Sequence, residues 1–79
     1  MNKNELLNVI NEIFIDVLEN PNIKINEFTK ADDIVEWDSI SHIQLIIEIE
    51  KKVNVKFTSS DIINWETVGD MLACILSKK

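Results

Sequence analysis

A chain of 79 residues with one glycine, Gly69, and one proline, Pro21, has almost nothing with which to turn tightly. Hairpins need residues that accept positive φ, so this scarcity argues against a β fold. The apolar residues recur at helical rather than alternating spacing. Together these features predict an all-α fold. The length allows a single domain, residues 1–79, and a domain this short buries only about 60% of its unfolded surface. Its core is therefore small, and a deep pocket backed by supporting shells has little room.

The spacing predicts a first helix from about Lys3 to Glu19. At about 100° per residue, Leu6, Leu7, Val9, Ile10, Ile13, Phe14, Val17 and Leu18 share one side. Glu5, Asn8, Asn11, Glu12, Asp16 and Glu19 take the other, with Ile15 the one apolar residue among them. Asn20-Pro21-Asn22 stops the helix, because proline cannot continue it. Ile23 to Trp37 has no sustained period and reads as a long connection, pinned to the core by Ile23, Ile25, Phe28, Ile34 and Val35. A second helix follows from Ser39 to about Val53, with Asp38 as its N-cap. Asn54 to Phe57 is an extended link. Thr58-Ser59-Ser60-Asp61 reads as a capping box for a short third helix ending near Asn64. Thr67-Val68-Gly69-Asp70 is a second such box. It opens a last helix whose Val68, Met71, Leu72, Ile75 and Leu76 share a face, with Lys78 and Lys79 complementing its C-terminal dipole.

Charge and cysteine usage exclude several classes. Fourteen acids against eight bases leave a net charge of −6, which repels phosphate backbones and anionic lipid headgroups. Nucleic acid and membrane surfaces are disfavoured partners; proteins with basic patches are favoured. Cys74 is the only cysteine, so a disulfide framework and a cysteine zinc cluster within one chain are both excluded. No signal-peptide pattern opens the chain, and no run approaches the ~20 apolar residues of a bilayer span. A cytoplasmic protein is the expectation.

The second helix carries the most informative pattern. Leu45, Ile46, Ile49 and Val53 form a stripe wide enough for an ordinary core-facing helix. Ile40, Ile43 and Ile47 form a separate stripe on the other side of Ser39, with Glu50 between the two. Either this helix is covered on both sides, or the second stripe is an exposed docking strip rimmed by Glu50. Ser39 lies in the first turn, near unpaired amides and the positive end of the dipole, where a phosphodiester is favoured. Taken alone, Asp38-Ser39 is better explained as a plain helix start, where both residues are common.

The run Glu36-Trp37-Asp38-Ser39-Ile40-Ser41-His42-Ile43, continuing through Gln44-Leu45-Ile46-Ile47-Glu48-Ile49-Glu50, resembles the signature of the acyl carrier protein family. The resemblance extends to the helix lengths, the long first loop, the Val55-Lys56-Phe57 link and the Thr67-Val68-Gly69-Asp70 start of the last helix. It implies a four-helix bundle of acyl-carrier type with a long loop between the first two helices and a short third helix. It further implies covalent 4'-phosphopantetheine on Ser39, carrying acyl cargo as a thioester. Asp38 would be the acid that a phosphopantetheinyl transferase recognises. Ile40, Ile43, Ile47 and Glu50 would face that transferase and the acyl-loading and acyl-processing enzymes, whose docking patches are basic. The carrier would be a monomer, not an enzyme. Ile40 stands where leucine is usual, and Gln44 and Lys51 stand where fatty-acid carriers are often acidic. Those departures, with Trp37 before Asp38, are more similar to stand-alone carriers of polyketide, nonribosomal-peptide or cell-surface tailoring routes than to those of fatty acid biosynthesis.

Two other readings compete. Ser39 and His42, one helical turn apart, could make a hydrolytic pair, but no third residue or oxyanion site accompanies them. His42 projects toward the core stripe, which suits a hydrogen-bonded structural histidine, and the scattered acids give it no metal-ligand set. A small acidic helical interaction module without a prosthetic group explains the amphipathic helices equally well, but not the placing of Asp38-Ser39. Cys74 reads as a packing residue; Trp37 and Trp65 read as anchors for the turns that precede helices.

Overall fold

The computed structural model describes residues 2–78. It contains α1 (Lys3–Leu18), α2 (Ser39–Val53), α3 (Ser59–Ile63) and α4 (Val68–Lys78), with a turn of 3-10 helix at Ala31–Asp33 inside the long connection. That turn has no periodic signal in the sequence. It forms because the Asp33 carboxylate accepts the Lys30 amide at 2.9 Å while the Asp33 amide returns to the Lys30 carbonyl at 3.0 Å. Lys79, expected to complement the last helix, lies outside the described residues, as does Met1.

Each helix end has a local cause. The Asn2 side chain accepts the Glu5 amide at 2.8 Å and caps α1. At the other end Glu19 turns left-handed, with φ 55°, and its amide and that of Asn20 both return to the Ile15 carbonyl. α2 ends the same way at Asn54, with φ 58°. Glycine usually supplies this conformation, and asparagine is among the few residues that replace it at low cost. A chain with so little glycine stops a helix by this device. The two capping boxes form as expected, Thr58 with Asp61 at 2.9 and 3.1 Å and Thr67 with Asp70 at 3.2 Å in both directions. Lys78 reaches back from α4 to the Asp61 carboxylate at 3.0 Å and ties the short α3 to the last helix.

α1 packs against both α2 and α4. Its Leu6, Ile10 and Phe14 join Leu45 and Ile49 of α2 and Val68, Leu72 and Ile75 of α4 in one buried cluster. Ile15, placed by projection on the polar side, is half-buried and packs against the edge of this cluster. Asn11 projects to the polar side too, yet its carboxamide is half-buried. It accepts the Ile25 amide at 2.7 Å and donates to the Ile23 carbonyl at 3.3 Å, fastening the long loop to α1.

The loop is only partly pinned as expected. Ile23 and Ile25 are buried and Ile34 packs against the cluster, but Phe28 is 75% exposed and Val35 is 96% exposed. Local turns explain both corrections. Asn26 accepts the Phe28 amide on its side chain and the Thr29 amide on its carbonyl, which throws Phe28 outward and Thr29 inward. The Trp37 amide bonds the Ile34 carbonyl at 3.2 Å, so Val35 and Glu36 form the outer corner of a turn whose ends, Ile34 and Trp37, pack.

The same loop finishes α4. Amides in the first turn of a helix have no partner within it. The Val68 amide donates to the Thr29 carbonyl at 2.9 Å and the Gly69 amide to the Glu27 carbonyl at 2.8 Å. A Cβ on Gly69 would lie 2.7 Å from that Glu27 oxygen. Gly69 is thus glycine for close approach, although its φ is not positive. Gly69→Ala, which in an open helix would gain up to about 1 kcal/mol, is expected to destabilise the fold by about 1–3 kcal/mol in chemical denaturation.

Candidate functional site

Asp38 enters α2 in extended conformation, with φ −113° and ψ −174°. Its carboxylate accepts the Ser41 amide at 2.8 Å and the Ser41 hydroxyl at 2.9 Å. The same hydroxyl lies 2.9 Å from the Glu36 carbonyl, so one proton serves two acceptors across the bend. The Ser41 amide, and after it the Ser41 hydroxyl, hold the Asp38 carboxyl below its ordinary value, so it is ionised near neutrality. This cap fixes the direction in which the chain enters the helix.

Ser39 follows as the first helical residue and is exposed. Asp38 and Ser41 do the capping, and no hydrogen bond among the described residues engages the Ser39 hydroxyl. It stands free in solvent at the positive end of a 15-residue helix.

A cleft of about 300 Å³ opens beside it, lined by Ala31, Trp37, Asp38, Ser39, His42, Trp65, Glu66, Thr67 and Met71. On one wall the Trp37 indole donates to His42 Nδ1 at 3.0 Å, and the two rings stack with centroids 5.8 Å apart. Trp37 also meets Phe14 of α1 edge-on at 4.9 Å. Trp65 forms the opposite wall and is held edge-on by Phe57 at 4.8 Å. Since Nδ1 accepts, a neutral His42 carries its proton on Nε2. Burial pushes its pKa below the usual 6.5. The imidazole is bound to Trp37 and not to Ser39, so the hydrolytic pair does not form, and the structural reading of His42 fits.

The two stripes of α2 separate as their spacing requires. Leu45, Ile46, Ile49 and Val53 are buried, whereas Ile40 is 71% exposed, Ile43 60% and Ile47 45%. The second stripe is therefore uncovered, and Ile63 of α3 adds another exposed apolar side chain. Glu50 also serves the backbone. Half-buried, it accepts the Phe57 amide at 2.8 Å and braces the link after α2. No motif or period in the chain foretells the cleft. Its walls come from the loop, α2, the turn before α4 and α4 itself, and of its lining only Trp37, Asp38 and His42 lie close to Ser39 in sequence.

Residues 8–75 match the protein family described as phosphopantetheine attachment site. Among solved structures, the chain is similar to the holo acyl carrier protein from Geobacter metallireducens, determined by solution NMR. The TM-score is 0.86 at 32% identity, covering 92% of this chain and 84% of that one. Comparison with curated proteins gives no match.

The burial of His42 sets a pH dependence. Folding favours neutral His42, so below 6.5 the unfolded chain binds a proton more readily than the folded one. Its contribution to stability is complete above 6.5 and is lost as pH falls through the lower folded value. The depressed carboxyls of Asp38, Asp61 and Asp70 act only near and below their ordinary 3.8, where falling pH likewise removes stability. Thermal melts are expected to show Tm declining as pH falls below 6.5. His42→Asn, which keeps an acceptor and cannot titrate, is expected to flatten that decline.

Proposed function

The chain belongs to the phosphopantetheine attachment site family and is an acyl carrier protein, and from that premise we propose that Ser39 is the residue to which 4'-phosphopantetheine is joined. The observation that carries this reading is the exposed, unbonded Ser39 hydroxyl in the first turn of α2, freed from capping by Asp38. Two features fit the group to this position. The helix dipole and first-turn amides favour a phosphodiester there. The adjoining cleft, with its indole, imidazole and thioether lining, offers the arm a surface of mixed polarity.

Attachment joins the Ser39 oxygen to the phosphorus of coenzyme A's pantetheine arm as the pyrophosphate bond breaks. Adenosine 3',5'-bisphosphate leaves, and the serine proton passes to the transferase. Once in place, the group supplies a terminal thiol that holds an acyl cargo as a thioester. The chain's own residues orient and present it. Asp38 fixes the helix entrance and marks it with a negative charge for the phosphopantetheinyl transferase. Ile40, Ile43 and Ile47, with Glu50 at their edge, form the face met by the transferase and by acyl-loading and acyl-processing enzymes. Tethering raises the cargo's effective concentration at each partner, while a small interface permits release. Catalysis belongs to those partners.

On this reading residues 1–79 act as one monomeric carrier in the cytoplasm. No described helix is long and apolar enough to cross a membrane. α2 balances Glu48 and Glu50 against Lys51 and Lys52. That neutral helix favours a specialised route, polyketide, peptide or surface tailoring, over housekeeping fatty acid synthesis.

Incubation with coenzyme A and a broad-specificity phosphopantetheinyl transferase is expected to add one phosphopantetheine to the wild type by intact mass, and none to Ser39→Ala. A wild type left unmodified by several competent transferases would overturn the assignment. Ile43→Glu is expected to lower the transferase kcat/KM roughly tenfold while shifting stability by less than about 0.5 kcal/mol.

A further inference from the structure

The cleft beside Ser39 has a chemistry that a slot for alkyl chains would lack. Trp37 stands between Ser39 and the core: it lines the cleft on one side and packs edge-on against the fully buried Phe14 on the other. Its indole N–H is bound to His42, which lines the same cleft. The way from the Ser39 hydroxyl to Phe14 is thus barred by a hydrogen-bonded pair of polar rings. A long chain threading past them would part that bond and leave two polar atoms facing methylenes, a poor exchange.

The imidazole has a second polar atom. With Nδ1 accepting from Trp37, Nε2 carries the hydrogen. No protein partner takes it among the described residues, and no buried side-chain nitrogen or oxygen there is left unpaired. Nε2–H is therefore open to solvent, a donor on a half-buried ring of the cleft. The cleft's volume of about 300 Å³ equals that of roughly ten waters, enough for a short extended segment. Its lining mixes apolar side chains, those of Ala31, Trp37, Trp65 and Met71, with polar ones, those of Asp38, His42, Glu66 and Thr67.

We propose that this cleft is the resting site of the prosthetic arm with a short or polar acyl group, the His42 Nε2–H donating to a carbonyl of the arm or its cargo, and that the Trp37–His42 pair keeps long alkyl chains out of the core. The proposal deepens the carrier reading and rests on Ser39 bearing the arm. It assigns the cargo to the class of small or polar acyl groups. Long fatty acyl chains, if loaded, stay outside the fold.

The test loads acetyl, hexanoyl and dodecanoyl forms of the arm from the matching coenzyme A thioesters, with occupancy of Ser39 confirmed by intact mass. Failure to load at Ser39 removes the carrier assignment itself, and this proposal with it. On the loaded forms, Tm is expected to agree across the three cargoes within about 2 °C. The Trp37 and Trp65 indole signals and the His42 imidazole signals in NMR spectra are expected to move between the apo and acetyl forms. A Tm that climbs by several degrees with chain length would overturn the exclusion of alkyl chains, since buried methylenes stabilise the fold. Unmoved indole and imidazole signals would overturn the resting site. His42→Leu removes the polar pair and is expected to acquire the climb in Tm that the wild type lacks; Trp37→Phe makes the same test where His42→Leu does not fold. If the variant that folds shows no climb, the pair is not the barrier.

Discussion

Trp37 is held from two directions, edge-on by Phe14 of α1 and through its indole N–H by His42 of α2. It is also the last loop residue before the cap of the helix that carries Ser39. Without this anchor, the 20 residues between α1 and α2 would enter the second helix at no fixed angle. Asp38 could then cap a helix, but not one whose first turn is held over the cleft. The contact thus joins core packing to the placement of a surface hydroxyl. It does so with a bond between two neutral rings, one of which loses its acceptor when protonated.

The loop's other attachments obey the same constraint, that buried backbone amides must find partners. Asn11 satisfies Ile23 and Ile25 from the side of α1. The Glu27 and Thr29 carbonyls satisfy two first-turn amides of α4, and the loop is held in the process. Gly69 is needed because one of these carbonyls comes closer than any side chain permits. A long connection in so small a domain is therefore a structural layer. It links α1 to α4 on one side and delivers α2 on the other.

What could be read from the sequence was whatever has a period or a cap. The buried face of α1, both stripes of α2 and the two Thr–Asp boxes follow from spacing, since helical geometry carries residue number directly into direction. Phe28 and Val35 have no such rule. Their directions depend on which turn each occupies, and those turns rest on the Asn26 side chain and the Ile34 carbonyl. Hydrophobicity argued for burial, and local hydrogen bonding decided against it. Asn11 misled in the opposite sense, because a polar residue on the outer face of a helix becomes interior once a loop crosses it. Ser39 was legible because Asp38 marks the start of the helix. The cleft was not, because Trp65 and Met71 reach it from another part of the chain.

The division of charge in this chain has a consequence for how α2 can be approached. Glu48 and Glu50 are offset by Lys51 and Lys52 on the helix itself, so the net −6 lies elsewhere. Asp38 and Glu66 are exposed beside Ser39 and line its cleft, and Glu36 is exposed just before them in the chain, while Lys51 and Lys56 lie together at the far end of α2. A basic protein surface is attracted to the first end and repelled from the second, over distances of about a Debye length, roughly 8 Å at physiological ionic strength. Once it arrives, Ile40, Ile43 and Ile47 offer contact that salt does not screen. Steering and adhesion therefore fall to different residues. On the proposed docking reading, the acidic end would set how fast and in which orientation a partner arrives at Ser39, and the isoleucine strip how long it stays.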